Sequence, residues 1–226
     1  LSSWLADEFF WDGIFSGLLD SVAARRRTRG GGLGGASCAL AIASLHRLAG
    51  PSLVISPTIR DAESLRDDLR AILGPVLYFP SFETLPYEGE AAHESVVSDR
   101  VECLAGLLSA DPGTLVVVPA PALLKKLPPP TAFPTHRIYR GMRFGMEELE
   151  GWLVSAGFVR EDTVVEQGRW ARRGGVLDIG TLGMENPVRV EFFGDEIDSL
   201  RVFDQRSQRS IREIQSAVLL PAREAF

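Results

Sequence analysis

The stretch RRGGVLDIGTLGMENPVRVEFFGDEIDSLRVFDQRSQR, residues 172–209, constrains the fold more than any other part of the chain. Gly174-Gly175 supplies backbone freedom just before Val176-Leu177-Asp178-Ile179, a short strand. From 188 to 193 valine and phenylalanine alternate with charged residues. Period 2 then sets Val188, Val190 and Phe192 on one side and Arg189 and Phe193 on the other. Gly194-Asp195 is a two-residue turn signal, and residues 197–203 are the returning strand of a hairpin. If the valine side is the core, Phe193 faces water beside Arg189, a pairing of residue types enriched at the centres of protein interfaces. The alternative is a sheet covered on both faces, with Phe193 under a helix and Arg173 and Arg189 as ordinary solvated arginines.

The segment is embedded in 226 residues, enough for two domains of ordinary size, and 45% of them are hydrophobic, so real cores can form. No apolar run reaches the ~18 residues of a membrane span, and the expectation is a cytoplasmic protein without membrane partners. The first residue is Leu rather than Met, which leads us to expect a fragment of a longer protein. Cys38 and Cys103 lie far apart, and His46, His93 and His136 are scattered, so no metal site is expected. The net charge is −6 and neither 1–130 nor 131–226 carries an excess of basic residues, which argues against binding nucleic acid through phosphate neutralisation.

Before the proline run at 128–130, short apolar strands near 53–55, 76–79 and 115–118 alternate with helical patterns near 37–48, 59–73 and 95–108. An amphipathic helix over 10–26 precedes them. This grammar predicts an α/β domain with a parallel sheet over residues 1–130. After the prolines, which continue neither a helix nor a central strand, the pattern becomes a strand at 136–141, a helix at 146–156 with Leu149, Leu153 and Val154 inward, and four strand-like runs. Residues 131–226 are therefore expected to be a smaller α+β domain.

The glycine-rich loop at 30–35 leads into a helix, as a phosphate-binding loop does. Aligned on the pattern that begins at Gly32 and continues through Gly34 and Gly35, the final glycine is Ser37, the lysine is Cys38 and the hydroxyl residue is Ala39. Without the lysine that reaches the outer phosphates, the loop reads as degenerate and no nucleotide is expected on it. Asp178, Glu191, Asp195, Glu196 and Asp198 cluster in sequence, yet no His or Lys accompanies them. They read as a solvated hairpin face rather than an acid-base pair.

Three motifs, FETLPYE at 82–88, RGGVLDI at 173–179 and VRVEFFGDEIDSLRVFD at 188–204, resemble the N-terminal, UvrB-homology region of the transcription-repair coupling factor family, Mfd, and more distantly UvrB. The missing lysine, the FETLPYE form and the absence of a tyrosine-rich hairpin favour the former. The resemblance implies a degenerate P-loop NTPase-like domain followed by an α+β domain that binds UvrA, an adaptor in nucleotide excision repair with no catalysis of its own. It carries UvrA contacts onto Arg173, Arg189 and Phe193. It also implies that ATP, Mg, RNA polymerase and duplex DNA belong to parts of the parent protein absent here. The alternative is a nucleotide-binding fragment of a repair helicase or of a UvrB-type excinuclease subunit.

Overall fold

In the computed structural model, residues 16–82, 94–109, 111–127 and 129–224 are described. The FETLPYE motif beyond Phe82, His93 and the start of the first helix at 10–15 lie outside them. By contacts the chain divides into two units, one of residues 1–88 and 106–126 and one of 89–105 and 127–226.

In the first unit, helices α1 (Ser16–Ala23) and α2 (Ala36–Ala49) precede β1 (Ser52–Ser56), α3 (Ile59–Leu73) and β2 (Leu77–Tyr78). Strand β3 (Leu115–Pro119) lies between β1 and β2, parallel to both. The helix start at α3 is written in the sequence: Thr58 Oγ1 accepts from the Asp61 amide at 3.1 Å. Ala39, Ala43, Ala62 and Leu69 from the two helices close over Tyr78, Leu115 and Val117. Small alanines let the helices approach the sheet closely, and Leu69, fully buried, contributes roughly 1.5–3 kcal/mol.

The helix α4 (Glu94–Leu108) departs from the expected division at residue 130, because its residues up to Ala105 belong to the second unit. The reason is packing: Val101, with Val97 and Leu104, meets Phe133, Leu182 and Leu220. Polar contacts reinforce it. Arg100, 1% exposed, donates from Nε and Nη2 to the Glu224 carboxylate at 2.5 and 2.7 Å, and Glu102 accepts from the Gly183 amide. At its C-terminal end Leu108 is 45% exposed.

The rest of the second unit is built on a six-stranded sheet ordered β10-β9-β8-β7-β6-β5, made of β5 (Val159–Arg160), β6 (Arg169–Arg173), β7 (Val176–Ile179), β8 (Val188–Phe193), β9 (Glu196–Phe203) and β10 (Ser210–Glu213). All pairs are antiparallel except β5 with β6. A separate ribbon pairs β4 (His136–Tyr139) with β11 (Ser216–Leu219). Helix α5 (Met146–Ser155) places Leu149 and Leu153 against Leu177, Ile179, Val188 and Val190. Val154, also expected inward, is 60% exposed, since it lies off the stripe that those two leucines define.

Candidate docking surface

Two turns shape one end of the sheet. Arg173 pairs with Val176 and Phe193 with Glu196, leaving Gly174-Gly175 and Gly194-Asp195 as two-residue loops. Gly174 and Gly194 have φ of 60° and 61°, the positive value that a type II′ hairpin turn demands at its first central residue.

Cross-strand register then sorts side chains by face. On one face Trp170, Ile179, Val188 and Val202 form a row, and Arg172, Leu177, Val190 and Leu200 the next. This is the face under α5. On the opposite face stand Ala171, Asp178, Arg189 and Arg201, then Arg173, Val176, Glu191 and Ser199. A bulge in β9 sets Phe192 opposite Ile197, so Asp198 is the extra residue; strand β8 keeps its phase. Phe192 therefore packs against the core while Phe193, on the Arg189 side, is 83% exposed. The face assignment read from the sequence is the one observed.

The arginine beside it differs from expectation. Arg189 is not open to solvent: its side chain is 17% exposed and donates from Nε and Nη2 to the two carboxylate oxygens of Asp178 at 2.7 and 2.8 Å. Its guanidinium stacks 4.5 Å from the Phe203 ring centroid, and Nη1 donates to the Gln208 carbonyl. Asp178, 1% exposed, holds the Arg189 pKa above its ordinary value chiefly through this hydrogen bond. Nor is the carboxylate cluster a solvated face. Asp178 is buried in the pair, and Glu191 accepts from Ser199 at 2.7 Å and from Arg201 at 3.2 Å. Asp195, Glu196 and Asp198 are exposed, as read.

Arg173 is exposed and donates to Thr163 Oγ1 at 3.0 Å and to the Asp162 carbonyl, with no carboxylate partner among the described residues. Arg173, Arg189 and Phe193 thus share one face but in different states: a cation without a counter-charge, a locked ion pair and a bare ring. Sequence reading missed Asp178 as the partner of Arg189. The signal was present, since the two stand directly opposite on adjacent strands.

The glycine loop is differently disposed. A helix, α1, precedes it, whereas a phosphate-binding loop follows a strand. The Gly34 amide donates to Ser37 Oγ at 3.1 Å, that hydroxyl donates back to the Gly34 carbonyl, and the Cys38 amide donates to the Gly35 carbonyl. Two of the loop's amides, those of Gly34 and Cys38, are thus engaged within the loop. Gly32 and Ala39 add no charged group; Ala39 is a core residue. Cys103 is buried, and burial pushes its thiol up to about 12, which keeps it protonated. No cluster of three potential metal ligands occurs among the described residues, and no described helix is long and apolar enough to cross a membrane.

The UvrB interaction domain family matches residues 137–225, which include the whole docking face. The chain is 38% identical over 198 residues to the transcription-repair-coupling factor of Escherichia coli strain K12, covering 86% of this chain and 17% of that protein. To the transcription-repair-coupling factor of Mycobacterium tuberculosis strain CDC 1551 / Oshkosh it is 36% identical over 193 residues, 82% of this chain and 16% of the relative. To that of Myxococcus xanthus it is 32% identical over 223 residues, 94% and 19%. The chain spans less than a fifth of the length of these relatives. It is a homologue of part of the transcription-repair-coupling factors and carries a UvrB interaction domain at residues 137–225.

Proposed function

We propose that this chain is the UvrA-docking adaptor of a transcription-repair coupling factor, recruiting UvrA in nucleotide excision repair without catalysis of its own. The observation that carries the reading is Phe193, a large aromatic 83% exposed on a strand whose neighbours on both sides hold it rigid. An exposed ring on a fixed backbone costs little entropy to bury, which is the property of an interface anchor. Arg173 supplies a cation to a carboxylate on the partner. Arg189, held by Asp178, acts as a positioning residue that stiffens β8 beneath the anchor. In this reading the division of labour follows the two units: the second, of residues 89–105 and 127–226, docks, and the first holds a glycine-rich turn that takes no nucleotide. Any ATP, Mg, RNA polymerase or duplex DNA contact is assigned to the remainder of the longer protein. The absence of a lysine at the aligned position, held by Cys38, speaks against the nucleotide-binding alternative.

Calorimetric titration of the chain with UvrA from the same organism tests the proposal. Saturable binding that Phe193→Ala weakens by about 2 kcal/mol or more is expected; equal binding by the two proteins overturns it.

A further inference from the structure

Across the hairpin tip from Phe193 lies a groove of about 800 Å³, within the size range of ~300–1,000 Å³ typical of occupied clefts. Phe144, Met146 and Phe192 contribute apolar surface to it, and all three are partly buried against the core. The turns at Gly174-Gly175 and Gly194 line it too, and a Cβ built on Gly174 or Gly194 would meet nothing within 4 Å. The groove is therefore open where the glycines stand.

Its charge differs from that of the docking face, where arginines and carboxylates are equal in number. Glu147, Glu148 and Asp195 line it together with Arg143 and Arg172. Arg172 is neutralised by Glu150 at 3.1 Å, and Glu148 accepts from the Gly145 amide at 2.9 Å. Glu147 and Asp195 are exposed, with no ion pair or hydrogen bond to their side chains among the described residues. Carboxylates outnumber guanidiniums here. On the other face Arg189 and Arg201 are paired with Asp178 and Glu191, and Arg173 is balanced in number by Glu196, which stands opposite Phe193.

We infer that the groove receives an arginine or lysine side chain of the same partner that packs on Phe193. An aliphatic stem suits the floor of Phe192, Met146 and Phe144, and a cationic head suits the rim of Glu147 and Asp195. Phe192, Phe193 and Gly194 are consecutive, so one partner surface straddling the tip meets the ring on its balanced face and the negative groove together. A negative groove on one side only fixes the orientation of docking as well as its strength. The inference rests on the UvrA-docking reading and adds to it a basic group on UvrA.

The test is a charge series measured by titration with UvrA at two salt concentrations, using the whole chain. The variants are Glu147→Gln with Asp195→Asn, Glu147→Lys alone, Glu147→Lys with Asp195→Asn, and Phe193→Ala. Graded weakening is expected, smallest for the neutralised pair and reaching ~10-fold or more for the variant that also carries the lysine. Wild-type binding should also lose the most affinity as salt rises. Melting temperatures are recorded throughout; Glu147→Lys, an exposed change, keeps the test valid if the Asp195 turn tolerates substitution poorly. If Phe193→Ala loses binding while the folded charge variants bind like wild type, the groove inference falls and the docking reading stands. If wild type does not bind UvrA at all, both fall.

Discussion

The two faces of the six-stranded sheet are made by the same strands and differ in almost every other respect. Under α5, Leu177, Ile179, Val188, Val190 and Leu200 are each 0% exposed and exclude water. On the other face, Asp178 pairs in register with Arg189, Glu191 reaches diagonally to Arg201, and the bare ring of Phe193 lies at the hairpin end. The first face stabilises by area, with no directional demand. The second is ordered by directional bonds that fix side chains near the surface, so it can present a rigid ring. The pleat of single strands thus separates a dry, packed side from an ordered, charged one, residue by alternate residue.

The largest expected effect tests whether Arg189 belongs to structure or to docking. Arg189→Ala leaves the Asp178 carboxylate buried without its partner, and loss of one member of a buried pair costs about 3–5 kcal/mol. Chemical denaturation should show that loss, and UvrA binding should fail only to the extent that unfolding does. A stable Arg189→Ala chain that has lost UvrA binding would make the pair a contact, not a brace. Next, Phe192→Ala should cost about 2–4 kcal/mol, somewhat below a fully buried ring because Phe192 is only partly buried.

Phe193→Ala should do the reverse, leaving the melting temperature unchanged and weakening UvrA binding by about 2 kcal/mol or more. Arg173→Ala on the same face should cost binding about 1–2 kcal/mol, with stability held. An inverted pattern for the two phenylalanines, read by melts and titrations together, would mean the faces are assigned the wrong way round. The smallest effect concerns acid. Burial lowers the His136 pKa below its ordinary value, so the unfolded chain takes up the proton more readily than the folded one. That contribution to stability is full above the unfolded pKa of ~6.5 and is lost as pH falls through the folded value. The slope of stability against pH in this window should be shallower in His136→Phe.

Much of this was legible along the chain. The alternation from Val188 to Phe193 and the glycines at 174 and 194 state where β8 turns and which phenylalanine faces out. Both follow from local sterics: side chains alternate across a pleat, and positive φ selects glycine. Thr58 marked the start of α3 for an equally local reason. Val154 was not legible, because hydrophobicity along a helix does not state how wide a stripe the neighbouring elements cover.

The sequence by itself determined the strand phases and the hairpin turns, since each depends on residues within a few positions of one another. Only the tertiary structure decided that Arg189 is locked by Asp178, that Asp198 bulges from β9 so that Phe192 meets Ile197, and that residues up to Ala105 of α4 pack with the second unit through Arg100 and Glu224. In each case the outcome depends on which distant groups arrive within bonding distance, and a buried charge takes whichever partner the register brings, because leaving it unpaired costs several kcal/mol or about that order.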